Sequence, residues 1–491
     1  MEADLAAYQN EARSHSDAIR RRSVSLHQPT SGLVLWLSYG QSLAAGWESW
    51  PRLSKTARLS SVYMMGESVH PAAENRAKWA PVGGLAKLAP LVATVRDGGR
   101  GLLTDEEVAR LTPGAPNRGE TLLEGFAQQF GAAWYGSRGM AGGDVANRFV
   151  FAQCGVGGKT IAELSVGACP DLFHRIRDAI RLAQKQATRL GLSFSVGGLL
   201  YNQGETGYAS TTRGAYASAL ARLIEDVRSY VSDATGQAGK LPVFLFQTGG
   251  QYAVDSVELA VARAQIQVAS TTEAVFMVSG NQHVVDKDFH LTSNGTRWLG
   301  CLAGKVAVRT IIEGEGWQCT QAIRWVGGGN VVVGLFHTPV PPLQFAAPYV
   351  GRSVSPIVRA PHRGIYLEDE NGPLTILNVE LKGQLAIVTT SRQLCIRPRI
   401  WLGRGACFSG AICIADSDRT PLAYPYVYTA GSGQTMDEDI ASLAGFSYPS
   451  NNFALADVQT VDVVDRDPGR TAKSSLLSGL AARLRTRISL A

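Results

Sequence analysis

The sequence predicts an α/β protein in two parts: a domain on a parallel sheet over residues 32–316, then an antiparallel β-sandwich over 317–432. Three observations carry this expectation. Short, continuous apolar runs recur from Leu33 onward, as in strands buried on both faces of a parallel sheet. Stretches with helical apolar spacing separate several of these runs. After Gly316 the helical spacing stops, and short β-rich runs bounded by turn residues take over.

Residues 1–31 are polar and charged, and their few apolar positions (Leu5, Ala6, Tyr8, Ile19) predict a short helix acting as a tether. Leu33–Ser38, Phe149–Gln153, Val196–Tyr201, Pro242–Gln247 and Ala274–Ser279 read as buried strands. Leu172, Ile176, Ile180, Ala183 and Ala187 share one helical face, and so do Tyr216, Leu220, Leu223, Ile224, Val227 and Val231. A further helix is expected near Asn294–Ile312. Residues 51–145 are irregular, rich in Pro and Gly, with one helix over Thr121–Tyr135; they read as a long insertion partly covering a site. In the second part, Asn330–Phe336, Gly364–Leu367, Leu374–Leu381 and Gln384–Thr389 read as strands, with turns at Glu370-Asn371-Gly372 and Lys382-Gly383. Residues 433–491 are Ser/Gly-rich and then basic, and predict a solvated tail.

Composition narrows the class. The length of 491 residues suggests about two to four domains. Apolar residues make up 45%, enough for a large core, which excludes a wholly disordered chain. Glycine accounts for 53 residues, above the usual share of about 7%, and predicts many tight turns. The net charge of +6 is mild, the basic residues are mostly Arg, and no dense basic run points to nucleic acid. Seven cysteines are scattered without a CxxC, so they read as reduced thiols rather than a zinc site. No stretch approaches the roughly 18 apolar residues of a membrane span. The N-terminus has no apolar leader core, which predicts a cytoplasmic protein or one exported by an unusual route.

In an open parallel sheet, ligands bind beyond the carboxyl ends of the strands. The first strand is followed by Gly40-Gln41-Ser42, the second by Cys154-Gly155-Val156-Gly157-Gly158-Lys159-Thr160, and the third by Asn202-Gln203-Gly204-Glu205. The last is followed by a loop with Asp286, Asp288 and His290. A hydroxyl, glycine amides, a carboxamide with a carboxylate, and an acid–histidine pair are the parts of a serine hydrolase. Two competing motifs are weaker. Gly157-Gly158-Lys159-Thr160 resembles a phosphate loop, but the required first glycine is Gln153. The GxSxG elbow of α/β-hydrolases is broken by Ala44.

These blocks, in this order, resemble the SGNH (GDSL-like) hydrolases, in their sialate O-acetylesterase and acetylxylan-esterase branch. The matching blocks are Gly40-Gln41-Ser42, Gly157-Gly158-Lys159-Thr160, Gln203-Gly204-Glu205 and Asp288-Phe289-His290, within residues 32–312. The resemblance implies a flavodoxin-like, three-layer α/β/α domain. It implies Ser42 as nucleophile, His290 as general base, and Asp288 as the acid orienting it, with Asp286 as fallback. It places the oxyanion donors at the Ser42 amide, an amide of Gly157 or Gly158, and the Gln203 side chain. Glu205 becomes a supporting structural carboxylate, and no metal or cofactor is needed. The sequence departs from the family at Leu43, where Asn is usual, at Gly207, where Asp is common, and after His290, where Leu291-Thr292 stands.

The segment Phe336–Leu343 is similar to one that follows SGNH domains in proteins of phages and prophages. The expectation is therefore a serine esterase that removes O-acetyl groups from a bacterial surface polysaccharide, such as O-antigen or capsule. It would act as a phage tail or baseplate component, among other tail proteins and as a homo-oligomer. The alternatives are an inactive structural or receptor-binding tail protein and an intracellular esterase for small acyl substrates.

Overall fold

The computed structural model describes residues 2–464 apart from 75–76, 85–86, 99–100, 113–114, 250–256, 285, 288–289, 348–358, 405–411 and 430–440. Its first sheet holds β1 (Gly32–Gly40), β2 (Val62–Met65), β3 (Leu88–Pro90), β4 (Asn147–Gln153), β5 (Phe194–Asn202), β6 (Val243–Gln247) and β7 (Val275–Gly280). The spatial order is β3-β2-β4-β1-β5-β6-β7. All neighbours run parallel except the edge pair β2–β3. All five strands expected from the apolar runs are present. The insertion supplies β2 and β3, which extend the sheet beyond β4; short strands among turn residues have too little periodicity to stand out.

Every residue of β1 is buried, which is why its sequence does not alternate. Leu33, Leu35 and Leu37 join the apolar layer of helices α3 (His174–Arg189), α4 (Arg213–Thr235) and α5 (Ala260–Thr271). Val34 and Trp36 join the opposite layer, with α2 (Leu122–Gly136) and α6 (Ser293–Ala307). Successive side chains on a strand point to opposite faces, so one apolar run serves two layers of helix. Thr121 and Glu124 form a capping box at the start of α2, and Thr212 caps α4. Without the sheet order β4-β1-β5, the loops after these three strands would not share a rim. That order reverses at β1, the switch point where open α/β sheets bind ligands.

The second region differs from the expected sandwich. Strand pairing joins β10 (Gln321–Gly328), β11 (Val331–His337), β12 (Ile365–Asp369), β13 (Gly372–Pro373), β14 (Ile376–Lys382), β15 (Leu385–Thr390), β16 (Arg399–Leu402) and β17 (Asp457–Val463) into one sheet. Its order is β13-β12-β16-β17-β10-β11-β15-β14, antiparallel apart from β10–β17. Strand β17 falls inside the stretch expected to be a tail, yet it sits between β10 and β16. The Ser/Gly-rich approach hides it, and its pairing partners lie far away in sequence. The N-terminal helix α1 (Glu2–Arg20) is not free: Leu5, Tyr8 and Ala12 pack on Val326, Val333, Leu335 and Leu385 of this sheet. Glu11 and Arg324 add a bidentate pair at 2.7 and 2.8 Å. Among the described residues, no helix is long and apolar enough to cross a membrane.

Candidate active site

The site begins where β1 ends. Gly40 has φ +135°, and a Cβ there would lie 2.0 Å from the Asn202 carbonyl oxygen, so only glycine allows the strand to turn out beside β5. The Gln41 amide then donates to the Asn202 carbonyl at 3.0 Å. The Gln41 side-chain oxygen accepts from the amides of Gly204 and Thr206 at 3.3 and 3.1 Å. Gln41 thus locks the loop after β1 to the loop after β5. Ser42 follows, 7% exposed, and its carbonyl accepts from the amides of Ala45 and Trp47, both at 3.1 Å. The turn after Ser42 is therefore tight, and it brings the Trp47 amide back to the Ser42 carbonyl.

The loop after β4 closes the same corner. The Val156 amide donates to the Gly40 carbonyl at 2.9 Å. A Cβ on Gly157 would lie 3.2 Å from the Trp47 ring and 4.0 Å from Ser42 Cβ. Gly158 takes φ +69°. The residues that resembled a phosphate loop are otherwise engaged. Lys159 Nζ pairs with Glu163 at 2.8 Å, and the Thr160 hydroxyl donates to Glu163 at 2.8 Å in a capping box for the short helix Ile161–Leu164. The Lys159 hydrogen bond, with the Thr160 amide, holds the Glu163 carboxyl down at about 2.

Gln203 is fully buried. Its side-chain oxygen accepts from the Tyr216 hydroxyl at 2.5 Å, and its Nε2 donates to the Lys159 carbonyl at 3.2 Å. A carboxamide has two N–H donors, and one of the two Nε2 hydrogens is assigned to that carbonyl. Glu205 is buried as well, and its Oε1 accepts from Asn281 Nδ2 at 3.1 Å. Burial pushes the Glu205 carboxyl above the usual carboxylate range, against the pull of hydrogen bonds and the nearby His290 ring. The same Asn281 amide donates to Asn202 Oδ1 at 2.9 Å, which ties the ends of β5 and β7 together.

His290 lies on a short ribbon, β8 (Asp286–Lys287) paired with β9 (His290–Leu291), just before α6. Thr292 caps α6 through the Gly295 amide at 3.1 Å, which fixes the chain immediately after the histidine. The His290 ring is tilted by 31° to the Trp47 ring, with centroids 6.0 Å apart. Its Nδ1 is 3.4 Å from Glu48 Oε1, with side chains only 14% and 11% exposed. Arg118, from the insertion, lies 3.6 Å above the Trp47 ring. Residues 117–120 also hydrogen-bond along the turn: Glu48 to Asn117 at 2.6 Å, Gly119 to Gly46 at 2.9 Å and Glu120 to Ser49 at 2.7 Å. The insertion therefore buttresses the turn after Ser42.

The structure sets His290 and the Gly157 backbone against the Trp47 ring, with Ser42 next to Gly157 and with Gln203 and Glu205 on the adjoining loop. Asp288 lies outside the described residues, and so does the side chain of Asp286. Sequence reasoning passed over Trp47, Glu48, Asn281 and Arg118. Asn281 carried a usable signal, since it directly follows a strand like the other site residues. Trp47 and Glu48 follow Ser42 closely, but nothing local says that the turn folds back.

No family model and no curated protein matches the sequence. Among solved structures, a carbohydrate acetylesterase from Xanthomonas citri is similar over 78% of this chain and 77% of its own, at 15% identity and TM-score 0.47. NanS is similar over 60% of this chain and 98% of its own, at 11% identity and TM-score 0.36. An aryl esterase from M. smegmatis is similar over 57% of this chain and 99% of its own, at 14% identity and TM-score 0.27.

Proposed function

We propose that this chain is a serine esterase that removes O-acetyl groups from carbohydrate. The observation that carries the esterase reading is that Gly157, beside Ser42, and His290 both lie against the Trp47 ring, near the carboxyl ends of the parallel strands. The Ser42 hydroxyl oxygen attacks the acyl carbon while His290 takes its proton. The negative charge formed on the carbonyl oxygen meets the amides of Ser42 and Gly157 or Gly158 and the remaining Gln203 N–H. The tetrahedral species collapses, the alkoxide leaves with the proton from His290, and the acyl group stays on Ser42. Water repeats the sequence through His290 and releases acetate.

The carbohydrate substrate is supported by the four sequence blocks. A bacterial surface polysaccharide as target, and a phage tail as location, are supported by those blocks and by the segment Phe336–Leu343. The test compares wild type and Ser42→Ala on p-nitrophenyl acetate, then measures acetate release from an O-acetylated polysaccharide. Hydrolysis by wild type alone is the expected result, and equal rates for the two proteins would end the proposal. Mass spectrometry of purified virions tests the location.

A further inference from the structure

We propose that Glu48 is the positioning carboxylate of His290, accepting the Nδ1 hydrogen and holding Nε2 toward Ser42. The inference rests on the esterase reading above and adds a residue that the four sequence blocks do not contain. A serine–histidine pair works only when the ring is held in one tautomer and its positive charge is met as the proton arrives. His290 Nδ1 is buried and has no hydrogen-bond partner among the described residues. A buried ring nitrogen without a partner calls for an explanation. Glu48 Oε1 is 3.4 Å away, and hydrogen bonds of this kind are often long until substrate binds.

The chain has invested in placing this carboxylate. Glu48 has φ +61°, a left-handed conformation that costs a non-glycine residue on the order of 1 kcal/mol or more. Such strain persists only where the surroundings over-determine it. Here the Glu48 amide is tied to the Asn117 carbonyl, and the flanking residues Gly46 and Ser49 accept from Gly119 and Glu120. The same Oε1 that faces His290 accepts from Trp47 Nε1 at 3.2 Å, which orients the carboxylate along the ring. The turn is also stitched to the histidine's own segment. Ser49 Oγ donates to the Leu291 carbonyl at 3.2 Å and lies 2.6 Å from Thr296 Oγ1. Distance between acid and base is thus set by hydrogen bonds on both sides.

Among the described residues, the other charged groups around His290 do not take this role. Glu205 acts on the ring as a charge, but its Oε1 is held by Asn281. Arg118 faces the Trp47 ring rather than the histidine.

The experiment measures kcat and KM for p-nitrophenyl acetate across pH in wild type, Ser42→Ala, Glu48→Gln, Glu48→Asp and Asp288→Asn, with an unfolding curve for each. Glu48→Gln keeps the shape and loses the charge. It should lower kcat by roughly 10²–10⁴-fold with little change in KM. The acid limb of its kcat/KM profile should move to lower pH, because the protonated ring loses its counter-charge. Glu48→Asp should fall between the two, and the loss at Glu48→Gln should exceed that at Asp288→Asn. An inactive wild type, or an active Ser42→Ala, would overturn the esterase reading itself. An active wild type and dead Ser42→Ala, with unchanged kcat and acid limb in Glu48→Gln, would overturn the role of Glu48 alone. A larger loss at Asp288→Asn would move that role to Asp288. Should Glu48→Gln fail to fold, Glu48→Asp decides: wild-type kcat there, with an unmoved acid limb, rejects the assignment.

Discussion

Helix α6 has a buried polar cluster near each end. In its last turn, Lys305 Nζ donates to Asp418 at 2.9 Å, to the Ser450 carbonyl at 2.6 Å and to Asn452 at 2.9 Å. An ammonium has three hydrogens, and all three are used. Asp416 and Asp418 are further bound by Asn452, Thr420 and backbone amides. Just before the first turn, His290 faces Glu48 with its Nδ1 unbonded among the described residues. Buried polar groups are normally satisfied, so the two ends differ in purpose. The Lys305 end is a closed lock between α6 and the segment before β17. The His290 end leaves a buried ring nitrogen without a hydrogen-bond partner among the described residues.

That contrast is broken or sharpened by substitution. The largest effect is expected at the open end: Ser42→Ala should reduce kcat by about 10⁴-fold or more. Its unfolding midpoint should stay close to wild type, because the hydroxyl makes no hydrogen bond among the described residues that the fold needs. Steady-state kinetics and a urea titration, done on the same preparation, read both quantities. At the closed end, Lys305→Met leaves buried carboxylates without their counter-charge, and should cost roughly 3–5 kcal/mol of stability. Activity per folded molecule should persist. A Lys305→Met protein as stable as wild type would show that the cluster is not a lock.

Smaller effects follow. Gly157→Ala presses a methyl on the Trp47 ring beside Ser42, and should lower kcat/KM by about 10-fold to 100-fold. Unchanged kinetics would separate Gly157 from the oxyanion corner. The smallest effect concerns pH. Burial pushes the Asp416 carboxyl up to about 6, although Lys305 and Asn452 pull it down. Its folded value lies above its unfolded one, so protonation stabilises the fold at low pH. That contribution is complete below the ordinary carboxylate range and is lost as pH rises through about 6. Burial alone would raise Asp418, but Lys305 and Thr420 bring it down to about 2. Its contribution is present at neutral pH and is lost as pH falls toward 2. Urea midpoints for wild type and Asp416→Asn between pH 4 and pH 8 should diverge in slope. Parallel curves would contradict a titrating Asp416.

Legibility of the fold followed burial. Strands β1, β4, β5, β6 and β7 are buried on both faces, so their apolar runs stood out. Strand β17 is buried at every third residue or so, as Asp457–Val463 alternates unevenly between its neighbours, and it was read as tail. Helix α1 was legible as a helix, but Ala12 and Tyr8 do not say which surface they will meet. Its docking on β11 and β15 needed the second sheet to exist first.

The sequence by itself determined the parallel core and the residues set at its strand ends. A buried strand must be apolar, and the polar residue that follows it must lie at the sheet's rim. That rule sets Ser42, Gln203 and Glu205 at the rim, whereas Gly157 lies in the loop after β4 and His290 on the ribbon before α6. Only the tertiary structure decided how Trp47 and Glu48 return to them. Their position depends on a turn braced by Asn117, Gly119 and Glu120, which are distant in sequence and joined to it through backbone hydrogen bonds. Backbone bonds of this kind carry no side-chain signature, so composition and spacing do not record them.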